Sequence, residues 1–278
     1  MAIPLKEGTH FYIEKKGFQP GYAMPSMEMA TDHYEVAYII SGERSTITTM
    51  ASYNYGAGMV TCSPPFEYLK TVARSQEPYE RILIKYTPEF IIPFIESVGQ
   101  QVFDKLYEQR IFCFSKDTRE RMKEMFEEIL AEYEKDRPYN EFILQGMLFR
   151  LLVTIWEERL PEEGVEQYET PLTPPIVDVV SFIENEYYRN PSLEEAAHVA
   201  NFSPAYFSRM FHAQMGKSYS EYLNNVKLRH VSILLTQTDK SIMEIAQETG
   251  FCHGNYLNEQ FKKKMGMTPG QFRKRSVK

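Results

Sequence analysis

Hydrophobic and polar positions follow two periods along this chain, and the change comes near residue 117. Over residues 1–86, apolar runs are short, alternate with polar positions and are cut by turn residues. His33-Tyr34-Glu35-Val36-Ala37-Tyr38-Ile39-Ile40 ends at Ser41-Gly42, and Met59-Val60-Thr61-Cys62 ends at Ser63-Pro64-Pro65. Further strands are expected over residues 45–49, 68–72 and 81–86. Many short strands at this spacing predict a sandwich or small barrel. A short helix over residues 88–98 and a last strand over 111–114 complete this part.

Beyond it the period becomes helical. Met122, Met125, Phe126, Ile129, Leu130 and Tyr133 recur at spacings of three and four, which predicts an amphipathic helix over about residues 117–134. Arg137-Pro138 breaks the pattern. The next helix, over 139–160, is apolar on more than one stripe, from Phe142 and Leu144 to Ile155 and Trp156. Its wide apolar surface suits burial on the chain's own barrel or contact with a partner subunit. Four prolines, a glycine and four glutamates then lie between Pro161 and Pro175 without apolar period, as in an extended linker. This gives an effector and dimerisation domain over residues 1–160, a linker over 161–174 and a second domain over 175–278. The expected class is α+β, a barrel with two helices followed by an all-α domain.

The second domain repeats itself. Ser192-Leu193-Glu194-Glu195-Ala196-Ala197 is answered by Ser241-Ile242-Met243-Glu244-Ile245-Ala246, and Phe211, Gly216 and Ser218 by Phe261, Gly266 and Thr268. The offset grows from 49 residues at the serines to 50 at Phe211 and Phe261, so the second copy has one extra residue in its turn. A repeat of this kind reports a duplicated supersecondary unit, here a helix-turn-helix. Ser192 with Glu195 and Ser241 with Glu244 have capping-box spacing, and Ser203-Pro204 and Thr268-Pro269 start further helices. An amphipathic helix over 219–235 connects the copies.

Charge supports this division. The chain carries net −7, but residues 1–170 hold 18 basic and 28 acidic side chains while 171–278 hold 13 and 10. Seven basic residues (Lys262, Lys263, Lys264, Arg273, Lys274, Arg275, Lys278) and no acid follow Phe261. Only the C-terminal part is suited to a polyanion, although a merely solvated basic tail has the same composition. Three widely spaced cysteines (Cys62, Cys113, Cys252) offer no disulfide framework or zinc cluster and fit a reducing cytoplasm. No signal peptide or membrane span is expected.

In the first copy Tyr206, Phe207, Met210 and Phe211 are expected to face inward, which leaves Ser203, Ala205, Ser208, Arg209 and His212 outside. In the second, His253, Gly254, Asn255, Asn258, Glu259, Lys262 and Lys263 are outside. Arg reads guanine or holds phosphate, Asn pairs with adenine, and Ser and Ala permit close approach to bases. These spaced residues resemble the DNA-binding domain of the AraC/XylS family of transcription regulators: Ser-x-x-Tyr-Phe-Ser-Arg-x-Phe from Ser203, and Ser-Ile-x-Glu-Ile-Ala-x-x-x-Gly-Phe from Ser241. The resemblance implies two helix-turn-helix units that enter successive major-groove segments. It also implies a homodimer through residues 117–160 and contact with RNA polymerase. Glu259 departs from it, since the family commonly has Arg there. Glu259 then reads a base or pairs with a lysine on its own helix.

The first half resembles cupin-type effector domains, through His33-x-Glu35, the Glu35-to-Gly42 spacing and Gly58 before Ser63-Pro64-Pro65. The family's first and last metal histidines are missing. No metal, cofactor or catalysis is therefore expected, and a small polar effector, sugar-like by resemblance, is expected instead. Its candidate contacts are His33, Glu35, Tyr38, Arg44, Tyr68, Lys70 and Arg81. The expectation is a cytoplasmic, sequence-specific regulator of transcription that binds double-stranded DNA. A cupin enzyme with a DNA-binding appendage, or a constitutive DNA-binder whose barrel only dimerises, remain the alternatives.

Overall fold

Val36 and Tyr38 point to one face of their strand, and Ala37 and Ile39 to the other. This alternation builds the N-terminal unit. In the computed structural model, which describes residues 5, 9–25, 27–29, 33–49, 51–135, 137–161, 167–169 and 172–276, the chain divides into two units. One comprises residues 1–24 and 28–169, the other 25–27 and 170–278. Among the described residues no helix is long and apolar enough to cross a membrane.

The N-terminal unit holds β1 (Phe11–Phe18), β2 (Glu28–Met29), β3 (Tyr34–Ser41), β4 (Glu43–Thr48), β5 (Ala51–Gly56), β6 (Val60–Ser63), β7 (Tyr68–Ala73) and β8 (Tyr79–Tyr86). Helices α1 (Pro88–Val98) and α2 (Gln100–Gln109), strand β9 (Ile111–Phe112), helices α3 (Lys116–Tyr133) and α4 (Asn140–Glu158), and strand β10 (Gln167–Glu169) follow. The strands form two five-stranded sheets, ordered β1-β8-β3-β6-β9 and β10-β5-β4-β7-β2. The barrel is therefore not closed, and the cupin-like architecture takes the form of two sheets with edges.

The first sheet is covered on one face by helices. Phe11, Ile13, Val36, Tyr38, Ile82, Ile84 and Tyr86 pack there with Phe90, Phe126, Leu148 and Leu152. Residues of the opposite phase, such as Ala37, Ile39 and Leu83, meet Tyr55 of the second sheet. Helix α2 and strands β1, β2, β5 and β10 add to the expected elements. Strand β10 pairs with β5 inside the stretch read as linker, while residues 162–166 and 170–171 lie outside the described residues.

The C-terminal unit is helical: α5 (Pro174–Glu186), a 3-10 turn at Tyr187–Arg189, α6 (Leu193–Val199), α7 (Pro204–Met215), α8 (Tyr219–Gln237), α9 (Ile242–Glu248), α10 (Gly254–Met265) and α11 (Pro269–Ser276). One side of α8 buries Leu228, Val231 and Leu235 against Ile245, Phe251, Leu257, Phe261 and Phe272. The repeat is thus two units joined by a shared central helix. Lys278 and the side chain of Arg275, counted in the basic tail, lie outside the described residues.

Candidate nucleic-acid interface and candidate effector cavity

Each helix-turn-helix starts with a closed capping box. Ser192 Oγ accepts from the Glu195 amide at 3.1 Å while Glu195 Oε2 accepts from the Ser192 amide at 2.7 Å. Ser241 and Glu244 repeat this at 3.2 and 2.7 Å. Small buried residues, Ala196 and Ala197 in α6 and Ala246 in α9, let the second helix of each unit pack close. The turn needs a left-handed residue, supplied by Asn201 (φ 54°) in the first copy and Gly250 (φ 72°) in the second. After it, the Phe202 amide donates to Ala197 O at 2.9 Å and the Phe251 amide to Ala246 O at 2.8 Å. The two copies therefore match through Phe202 and Phe251. The extra residue is Cys252, because the next helices are capped by Ser203 and His253.

Helices α7 and α10 present comparable outer faces. Phe207, Phe211 and Met215 are buried in α7, and Leu257 and Phe261 in α10. Ser203, Ala205, Ser208, Arg209 and His212 are exposed, as are His253, Asn255, Glu259, Lys262 and Lys263. Gly254 and Asn258 are half-buried. Neither Ser203 nor His253 spends its side chain on a cap bond.

Tyr206 faces outward, not inward as the sequence pattern predicts. It is 43% exposed, and Tyr256, its counterpart 50 positions on, is 48% exposed. Tyr206 stands edge-on to Phe202 with centroids 4.8 Å apart, so the turn residue supports it from beneath while its outer edge meets solvent. Sequence reasoning missed both tyrosines as surface groups. Their matched spacing from the recognition-helix caps was the available signal.

Glu259 makes no ion pair among the described residues, which removes its pairing with a lysine of the same helix; Arg209, Lys262 and Lys263 are likewise unpaired. Lys264 differs: it is half-buried, and burial first, then neighbouring Lys217, lower its pKa.

Between the two sheets of the N-terminal unit lies a cavity of about 210 Å³. Strand β1 lines it with Tyr12, Glu14, Lys16 and Phe18, β3 with Glu35, β4 with Arg44 and Thr46, β5 with Tyr55, and β8 with Tyr79, Arg81 and Lys85. Of the candidate contacts, Glu35, Arg44 and Arg81 converge here. His33 is buried behind Glu35, its Nε2 3.3 Å from Glu35 Oε1. Lys85 Nζ is 3.2 Å from the same oxygen. Burial pushes the Glu35 pKa up, but the His33 hydrogen bond and the charges of Lys85, His33 and Arg81 outweigh it and hold the carboxyl at about 2. Burial raises the pKa values of Tyr55 and Tyr79, whose hydroxyls remain protonated donors.

Three candidate contacts lie elsewhere. Tyr38 has the phase of the helix-covered face, where its hydroxyl donates to Arg119 O at 3.2 Å and its ring meets Phe126. Tyr68 and Lys70 alternate with Leu69 and Thr71, the β7 residues that line the cavity. The phase of each strand decides its cavity residues, and the sequence reading listed polar residues of both phases. Tyr79, Tyr55 and Lys85 were missed; the alternation of Tyr79, Arg81, Leu83 and Lys85 along β8 was legible.

The ligand set offers little to a metal. Glu35 and His33 supply two donors, and the Lys85 ammonium already occupies the carboxylate. Among the described residues no group of three or more His, Cys, Asp or Glu could hold a metal ion.

Residues 196–275 match the family described as "Helix-turn-helix domain". The Msm operon regulatory protein of Streptococcus mutans is 24% identical over 243 residues, 87% of this chain and 84% of that protein. The HTH-type transcriptional regulator YfiF of Bacillus subtilis is 31% identical over 143 residues, so the chain matches 45% of its length. The solved C-terminal domain of AraT, a response regulator from Geobacillus stearothermophilus, is 31% identical, covers 38% of this chain and 88% of its own, and gives a TM-score of 0.37. The doubled helix-turn-helix, its spaced signature and the family match over residues 196–275 together identify the C-terminal unit as a DNA-binding helix-turn-helix domain of the AraC type, as found in regulators of transcription.

Proposed function

We propose that the chain is a sequence-specific regulator whose N-terminal cavity binds a small effector and whose two recognition helices read DNA unequally. The observation that carries the DNA reading is the matched outer faces of α7 and α10, whose Arg209, Lys262 and Lys263 are exposed and unpaired among the described residues. Ser203, Ala205, Ser208, Arg209 and His212 form the first reader, and His253, Gly254, Asn255, Asn258, Lys262 and Lys263 the second. Tyr206 and Tyr256 widen each contact.

The 19 residues of α8 span roughly 28 Å at 1.5 Å per residue. That length is compatible with half-sites about one DNA turn apart. Footprinting on selected duplexes tests this reading. Two protected half-sites of different sequence, about 10 bp apart, are expected, and a single protected half-site contradicts it.

The cavity serves as a binding site rather than a catalytic one, since the Glu35–His33 pair, the one carboxylate–imidazole pair beside it among the described residues, is engaged by Lys85. The chain acts in the cytoplasm as a homodimer through α3 and α4. Tyr139 and Phe142, 84% and 76% exposed at the start of α4, suit a second copy. RNA polymerase is the further partner that activation of transcription requires.

A further inference from the structure

We infer that the cavity is built around the anionic group of a small organic molecule, a carboxylate or phosphate monoester, held by Arg44 and Arg81; this rests on the reading of the unit as an effector sensor.

Arg44 is 1% exposed, and its guanidinium lies in the cavity between the sheets. Among the described residues only Nη1 has a hydrogen-bond partner, the carbonyl oxygen of Tyr22 at 2.5 Å. Nε and Nη2 are buried with none. Those two nitrogens form one edge of the planar fork, the edge that grips a carboxylate or phosphate with two parallel bonds. Arg81 Nε is also buried without a partner in the same cavity.

The ring faces of Tyr79, Tyr22 and Phe18 lie 4.5, 5.2 and 5.4 Å from the Arg44 guanidinium. They stabilise its charge but accept none of its free N–H bonds. No carboxylate ion-pairs with Arg44 or Arg81 among the described residues, and the nearby Glu35 is engaged by Lys85 and His33. A buried donor without an acceptor is costly, and a charged one more so. Water could satisfy the N–H groups but not the charge, whereas an anion does both. The tyrosine hydroxyls and Thr46 beside it suit a hydroxylated body.

The test uses the full chain, followed by thermal unfolding and by affinity for its DNA site. The probes are inorganic phosphate, acetate, glucose 6-phosphate, glucuronate and glucose, against chloride of equal ionic strength. Anions are expected to raise the unfolding temperature where glucose does not, and preference within the phosphate and carboxylate pairs names the group. Arg44→Gln and Arg81→Gln should each weaken anion binding at least tenfold, while Lys70→Gln leaves it unchanged. If Arg44→Gln fails to fold, Arg81→Gln carries the test alone.

Anion binding that survives both glutamine variants overturns the inference. If glucose alone shifts stability and DNA affinity, sensing stands and the anion site falls. If anions bind through Arg44 without changing DNA affinity, the anion site stands and sensing falls. If no probe binds, the anion site falls, while a later effector outside this chemistry would still uphold sensing.

Discussion

Lys227 Nζ donates to the carbonyl oxygen of Gly250 at 2.6 Å and so ties the shared helix α8 to the turn of the second helix-turn-helix. The same ammonium donates to Asn190 Oδ1 at 3.2 Å and lies 4.2 Å from the Phe251 ring centroid. Burial lowers its pKa, yet two oxygens and an aromatic face compensate for the lost solvent. A methionine at 227 fills the space and leaves both acceptors unpaired. Lys227→Met is expected to destabilise the C-terminal unit by about 1–3 kcal/mol, measured as a shift in chemical unfolding midpoint.

Gly250 is the stricter position. A Cβ there would lie 2.4 Å from the Tyr188 carbonyl oxygen, and its φ is +72°. Gly250→Ala is expected to cost about 2–4 kcal/mol, from left-handed strain plus a backbone clash. Asn201→Gly, at the matching turn, should change stability by only about 0.5 kcal/mol. Equal losses in denaturant titrations of the two variants would show that the turns are not built differently.

His230 makes the C-terminal unit sensitive to acid. Its ring stacks on Tyr187 at 3.9 Å, and Arg229 Nη2, which can only donate, lies 3.4 Å from its Nε2. Nε2 must therefore be unprotonated. Burial, with Arg229 adding to it, lowers the pKa from 6.5 to about 4. The unfolded chain takes the proton first, so this stability is present above pH 6.5 and is lost as pH falls towards 4. Partial exposure reduces the effect to about 1 kcal/mol. Relative to His230→Phe, the wild type should lose unfolding temperature between pH 7.5 and pH 5; parallel curves would contradict the assignment.

Much of the DNA-reading unit was legible because its signals are local. Capping boxes, turn residues and the 3.6-residue period are each set by neighbours in sequence, and Ser192–Glu195 and Ser241–Glu244 close as read. The cavity was less legible because it depends on strand phase and on which sheet covers which. Arg44 and Arg81 fall on the cavity phase, while Tyr38 falls one residue away on the helix-covered face. Strand β10 was hidden for a related reason: three residues in a proline-rich stretch become a strand only because the β5 edge is there to receive them.

The exposed start of α4 should govern self-association. Phe142 is 76% exposed, so Phe142→Glu should leave protomer stability within about 0.5 kcal/mol. Light scattering should show the dimer shifted towards monomer; an unchanged dimer at micromolar concentration would move the interface elsewhere.

Glu259 is expected to limit DNA contact by α10. Its carboxylate is exposed and unpaired among the described residues, and it stands where the first copy has Arg209. Glu259→Arg is expected to raise affinity for any duplex roughly three- to tenfold and to steepen the salt dependence by about 0.9 in log–log slope. A drop in affinity confined to one half-site sequence would show instead that Glu259 reads a base.

The central claim is that the two helix-turn-helix copies read DNA with unequal weight, the first through Arg209. Fluorescence anisotropy of the full chain on its selected site, across a salt series, tests it most directly. Arg209→Ala should weaken binding by about 1–3 kcal/mol, and relax preference at one base pair of the first half-site. Glu259→Ala should cost nothing. Equal losses from the two variants, or an Arg209→Ala protein that binds like the wild type at every salt concentration, would contradict the account.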